Sequence, residues 1–173
     1  MRSAIDLLTQ YAAYHRDQRN IATHFIGIPM IVCAIGALLS RPVFSLQGVE
    51  LAPVHLALAL ATVWYLTRHV VLGLLTAAAV GALAMIGVFL AGHTTGSWLG
   101  WGLGLFFVGW VLQFLGHYYE GRKPAFVDDL IGLLVGPMFI VAEALFSAGW
   151  NRQMLIEIER RVGPTHLRNL AHA

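Results

Sequence analysis

Polar and apolar positions along this chain fall into long blocks. Apolar runs cover residues 21–39, 54–67, 70–91, 98–118 and 130–148. Ser40-Arg41-Pro42 closes the first, Arg68-His69 separates the second from the third, and a polar turn at 93–97 precedes the fourth. A helix needs about 20 apolar residues to cross the hydrocarbon core of a bilayer, with a range of about 17–25. Four runs meet or approach that length, and the 54–67 run is short. Only helices and closed barrels satisfy backbone polar groups in lipid, and no run alternates with the period of a strand. The blocks therefore predict an all-α membrane bundle of about five transmembrane helices.

Two flanking segments read differently. Residues 3–14 put Ile5, Leu8 and Ala12 on one helical face, the pattern of an amphipathic helix lying at the interface. Residues 151–162, NRQMLIEIERRV, predict a charged C-terminal helix stopped by Gly163-Pro164. No repeat or low-complexity tract interrupts the pattern, so residues 1–173 read as one membrane domain.

Composition agrees: 58% of residues are hydrophobic, 12% are charged, and the mean hydropathy is +0.70. Soluble domains carry about 25% charged residues, and a chain this short cannot hide so many apolar side chains in one core. The net charge of +2 comes from clusters between the apolar runs, a distribution that excludes a nucleic-acid surface. The lone Cys33 excludes an intrachain disulfide and any Cys-rich metal site. The first twenty residues lack the apolar core and cleavage site of a signal peptide, so they are expected to stay in the mature protein.

Alternate threading of five spans puts Arg2, Arg16, Arg19, Arg68, Arg122 and Lys123 on one face and Arg41 on the other. The tail adds Arg152, Arg160, Arg161 and Arg168 opposite the first group, which weakens the asymmetry. Counted over short loops, the positive-inside rule still turns the first face toward the cytoplasm.

That threading also sorts the eight histidines. His15, His24, His69 and His117 fall at the cytoplasmic end, His55 and His93 at the other, and His166 and His172 in the tail. In YAAYHRDQRNIATHFIGIP, Asn20 and His24 share a face at i,i+4. His15 and His24, nine residues apart, would point to opposite sides of an unbroken helix. They can share a ligand only if the chain bends near residues 16–20; otherwise they are two interfacial histidines bonded to headgroups or backbone. In GWVLQFLGHYYEGRKPAFVDDL, Gln113, His117 and Glu120 share one face, with Arg122-Lys123 just beyond. A histidine with a carboxylate three residues on is a usable metal or acid–base pair, and equally a helix-end cap with a routine ion pair. Two distant segments thus bring imidazoles to one membrane depth. Neutral imidazole binds iron, zinc or copper, so a metal shared by His15, His24 and His117 is the economical reading.

Other signals are weaker. His-Arg-Asp at 15–17 matches motifs of jelly-roll oxygenases and kinases, folds that do not suit a helical membrane chain. The histidine pairs of membrane desaturases are missing. Glu143 is a functional candidate by its position inside an apolar run, or a buried hydrogen-bonded carboxyl. The glycines at 100, 102 and 104, with Gly132 and Gly136, read as close helix packing.

The stretches YHRDQRNIATHFIGIP and GWVLQFLGHYYEGRKPAFVDDLIGLLVGPMFIVAEALF, about a third of the chain, resemble the membrane 2-hydroxy fatty acid dioxygenases. A fungal member of that family works in the α-oxidation of phytosphingosine-derived acids. The resemblance implies an Fe(II)-dependent enzyme that uses dioxygen to shorten a long-chain 2-hydroxy fatty acid by one carbon. It puts His15, His24 and His117 at the iron. Glu120 is an additional ligand or, with Asn20 and Gln113, an orienting residue, and Arg122 and Lys123 attract the substrate carboxylate. The implied partners are the 2-hydroxy acid, dioxygen and membrane lipid, with homo-oligomerisation left open and no nucleic acid. A bacterial inner membrane or an ER-type membrane would hold it, with the site toward the cytoplasm. Two competing readings use the same residues: a zinc-dependent lipid hydrolase, and a small carrier or assembly protein whose histidines are structural.

Overall fold

A computed structural model describes residues 2–170. The apolar blocks are helices: α2 (Gln18–Leu38), α3 (Pro53–Leu66), α4 (Val70–Ala91), α5 (Thr95–Glu120) and α6 (Gly132–Ser147). The flanking segments form α1 (Ala4–Ala12) and α7 (Arg152–Val162), and a hairpin of β1 (Phe44–Leu46) and β2 (Val49–Leu51) links α2 to α3. A 3₁₀ turn at Ala125–Val127 precedes α6. The all-α class expected from the hydropathy pattern holds.

Three helices, α2, α4 and α5, are long and apolar enough to cross a bilayer. Their surfaces are clothed in large apolar side chains that water would not tolerate: Phe89 is 83% exposed and Phe107 is 70% exposed. α3 has 14 residues, roughly 21 Å of helix, against a hydrocarbon core of about 30 Å.

Contacts between helix ends define two faces of the bundle. At one, the hairpin end, Trp98 donates its indole N–H to the Ala37 carbonyl (2.9 Å), the Arg41 guanidinium lies over the Trp98 ring, and the Val54 amide bonds Leu39 (3.0 Å). At the other, the polar end, Arg68 donates to the Arg2 carbonyl (3.2 Å), Arg2 pairs with Asp129 (2.7 Å), and Arg161 pairs with Asp6 (3.2 Å). α3 therefore runs from the hairpin end to the polar end, and residues 67–69 turn the chain tightly into α4, as the charge boundary at Arg68-His69 predicts.

The fifth expected span is corrected by the same contacts. α6 starts three residues after Asp129, which is held by Arg2, and the chain beyond it reaches Trp150, whose ring stands edge-on to His69 (5.8 Å). Both marks belong to the polar end, so both ends of α6 lie there and the helix runs along that end instead of crossing to the other. Between them α6 lies under α1, with Phe139 against Tyr11 (5.0 Å). α7 continues only after a 116° bend. The reason is length and partner: 16 residues give roughly 24 Å of helix, and α1 offers α6 an apolar face to lie along.

α2 is the centre of the bundle, in contact with α4, α5 and α6. Its approach to α5 is close because glycines meet there. A Cβ on Gly27 would run into the Gln113 amide, and one on Gly116 into Asn20 and Thr23. That closeness brings the start of α2 and the end of α5 into one site.

Candidate metal centre

The bend required between His15 and His24 is present. α1 ends at Ala12, and the amides of Tyr14 and His15 close turns onto Tyr11 and Ala12 (both 3.0 Å). Asp17 then caps α2, accepting from the Arg19 amide (2.9 Å). The amides of Arg16 and Asp17, just outside α2, need an acceptor, and Glu120 at the end of α5 supplies it. Its carboxylate takes Arg16 N–H (3.0 Å to each oxygen), Asp17 N–H (2.8 Å) and the Asn20 side-chain amide (3.0 Å). Hydrogen bonds to a charged acceptor contribute about 1.5–3 kcal/mol each. Asn20 also donates to the Tyr14 carbonyl (3.0 Å), tying the turn to the helix that follows it.

The result is a buried histidine triad. His15, His24 and His117 are 0%, 1% and 6% exposed, and one ligand atom from each lies within 4.8 Å of the others. The tautomers of two follow from their partners. His15 Nδ1 lies 2.7 Å from the Tyr11 carbonyl and His24 Nδ1 lies 2.9 Å from the Asn20 carbonyl. A carbonyl only accepts, so each Nδ1 carries the proton and each Nε2 is left with a lone pair. Those two Nε2 atoms face each other at 3.0 Å. Two acceptors at that distance repel, unless a cation takes both lone pairs. His117 Nδ1 is buried, with no hydrogen-bond partner in reach among the described residues. Burial first, and then the neighbouring His24 and His117, hold the His15 imidazole well below its usual 6.5 and therefore neutral, the form that binds metal. His15 is stacked face to face on Tyr11, with ring centroids 4.0 Å apart.

His24 and His117 open onto a cavity of about 230 Å³ between α2, α5 and α6. Its walls are apolar, with Ile28, Ile31, Phe106, Trp110 and Phe126 among them, and its polar groups cluster at the histidine end. Gln113 joins them there, its buried Nε2 without a partner.

Of the residues singled out from sequence, His15, His24, His117, Asn20, Gln113 and Glu120 come together. Glu120 stands outside the group of potential ligands, because its oxygens are engaged with the 16–20 turn. Arg122 and Lys123 do not reach the cavity. Arg122 donates to the Ala13 carbonyl (2.7 Å) and Lys123 pairs with Asp128 (2.6 Å), since the left-handed Gly121 turns the chain outward after α5. Glu143 lies 3.9 Å from Arg16, a partly buried ion pair outside the group of potential ligands. His55 and His69 cap α3 and α4, and His172 lies outside the described residues.

Sequence reasoning passed over two features. Tyr11 lies one helical turn before His15, a spacing that could have flagged it. The tail leaves no such mark. His166 pairs with the 16–18 backbone, and the Arg168 amide donates to Asp17 (2.8 Å).

A helical membrane protein with three buried imidazoles at the mouth of an apolar cavity has the residues that could hold a metal beside a space for an apolar chain. Comparison with known proteins narrows the class. The family model described as 2-hydroxy-palmitic acid dioxygenase Mpo1-like matches residues 1–148, and the chain belongs to that family. It is similar to the 2-hydroxy-palmitic acid dioxygenase MPO1 of Saccharomyces cerevisiae, 31% identical over 160 residues, which cover 90% of this chain and 88% of the relative. No solved structure matches it.

Proposed function

We propose that the protein is an Fe(II)-dependent dioxygenase that cleaves C1–C2 of long-chain 2-hydroxy fatty acids. The observation that carries this reading is the pair of unprotonated His15 and His24 Nε2 atoms held 3.0 Å apart beside His117, at the end of an apolar cavity. The family membership and the yeast relative's name support the substrate class. The reaction balances without a reductant: the 2-hydroxy acid and one dioxygen give the shorter acid, carbon dioxide and water. The substrate supplies all four electrons, at C1 and C2, which accords with a sequence that carries no nicotinamide or flavin fingerprint.

His15, His24 and His117 would hold the iron, and an all-imidazole set leaves positions free for other ligands. Bound there, iron would supply the activation of dioxygen and an anchor for the carboxylate and hydroxyl oxygens of the substrate. The chain's own residues do the rest. The carbonyls of Tyr11 and Asn20 fix the orientation of two rings through Nδ1. Glu120 and Asn20 hold the turn that carries His15. Gln113, which lines the cavity with its Nε2 unpartnered among the described residues, would meet the substrate head group in place of Arg122 and Lys123. The apolar walls exclude water and receive the acyl chain.

The polar end faces the cytoplasm. With both ends of α6 at that end, the tail lies there too, so ten of the eleven Lys and Arg residues, all but Arg41, share one side.

The test is turnover. Protein purified anaerobically, loaded with Fe(II) and given dioxygen should convert a long-chain 2-hydroxy acid to the acid one carbon shorter. The unhydroxylated acid should be inert, because it lacks the second chelating oxygen and the electrons at C2. A requirement for 2-oxoglutarate, or equal turnover with zinc and no dioxygen, would sink the reading.

A further inference from the structure

A second cavity, of about 170 Å³, lies on the other side of α6, between α2, α3 and α4. Among the described residues the Tyr65 phenol is the one titratable group that lines it, and Ala57, Leu58 and Ala61 of α3 form its far wall. It is continuous with the first cavity in its walls: Val32 and Ile35 of α2 and Leu133 and Pro137 of α6 line both. On α2 the two cavities together follow the helix from His24 to Leu39. Fifteen residues are roughly 22 Å of helix, deeper than the about 15 Å of one bilayer leaflet.

An apolar void costs contact energy unless something fills it, and its walls say what can. A free lipid tail is one candidate, but these cavities begin at the histidines. A chain anchored there by its head group has one direction in which to run. From this we infer that the two cavities form one acyl passage, in which the distal half of a long substrate chain passes the Val32–Ile35–Leu133–Pro137 neck and ends against Ala57 and Ala61. The inference rests on the proposed function and extends it, making the α3 alanines the residues that set chain length. A short acyl chain stays within the first cavity and never meets them.

Ala57 and Ala61 are half-buried and remote from the histidines, so Ala61→Phe and Ala57→Phe fill the second cavity without touching the centre. Turnover of 2-hydroxypalmitic acid should fall at least about tenfold, while that of 2-hydroxyoctanoic acid stays within about twofold, each preparation acting as its own control for folding. Ile35→Ala should shift the preference toward longer chains. An unchanged ratio of long-chain to short-chain turnover in both phenylalanine variants would overturn the passage. A second readout does not need turnover. A 2-hydroxypalmitic acid with a terminal diazirine, photolysed on the anaerobic wild-type protein, should label α3 between Ala57 and Tyr65. Label confined to Phe106 and Trp110 of α5 would overturn the passage even in an active enzyme. Label on α3 in a protein that turns over no 2-hydroxy acid would uphold the passage and refute the reaction.

Discussion

The two ends of this bundle are built on opposite principles. In the polar half of the bundle lie all eight buried polar or charged residues among those described: His15, Arg16, Asp17, Asn20, His24, Thr76, Gln113 and His117. Arg16, Asp17 and Asn20 are tied to partners from other elements. At the hairpin end, all six residues of β1 and β2 are exposed, and the link between α2 and α3 could be redrawn without disturbing a buried side chain. Burying polar groups costs free energy unless each finds a partner, so a chain keeps such a cluster only where the groups act. Of the seven buried side-chain atoms without a partner among the described residues, three, Asn20 Oδ1, Gln113 Nε2 and His117 Nδ1, belong to the triad or the residues beside it.

The largest effect that tests this contrast is on the histidines themselves. His24→Ala and His117→Ala should each reduce turnover to background and strip the bound metal, because two remaining imidazoles form an incomplete site. His93→Ala, at the hairpin end, should leave both unchanged. Metal analysis of purified protein by mass spectrometry, beside the turnover assay, reads the two together. Full activity in the His117 variant would show that the triad is not the centre.

How much of this was legible beforehand depends on what kind of information each feature carries. The convergence of His15, His24 and His117 could be read because helical phase is a local property. Nine residues put two rings on opposite sides of a helix, and a shared site then demanded the bend that Asp17 and Glu120 create. The course of α6 could not be read in this way. An apolar stretch of its length looks the same whether it meets lipid or the underside of α1, and only the contacts of Asp129 and Trp150 decide. The placement of Arg122 and Lys123 was hidden for a related reason: nearness in sequence to His117 says nothing about direction once Gly121 turns the chain at φ 68°. The docking of the tail on Asp17 is a backbone pairing, and such a pairing needs no particular side chain at 165–168.

That docking gives the intermediate effect. Asp17 accepts from Arg19 and from the Arg168 amide, and these bonds hold its carboxyl at about 2, below the usual 3.8, with the Arg19 side chain the first cause. The folded value is depressed, so the stabilisation is fully present above about pH 3.8 and is lost as pH falls through about 2. Asp17→Asn should lower the melting temperature in detergent at neutral pH and flatten its fall between those two values. Since the same turn carries His15, turnover should drop while bound metal is partly retained. An unaltered acid limb would mean that the tail does not clamp the turn through Asp17.

The smallest effect belongs to the hairpin. Phe44 and Leu46 are 60% and 62% exposed, and neither belongs to the buried cluster of the bundle. Exposed substitutions away from cores, caps and buried networks usually stay within about 0.5 kcal/mol. The double variant Phe44→Ser, Leu46→Ser should therefore keep turnover within about twofold and its bound metal intact, since a tenfold change in rate would need about 1.4 kcal/mol at the barrier. These exposed side chains follow the end of α2, so the loss expected is in partition between lipid and water: the variant should leave detergent micelles more readily without losing activity inside them. A loss of turnover comparable to that of the Asp17 variant would erase the distinction between the two ends, because it would mean that a surface with no buried partner reaches the histidines across the whole length of α2.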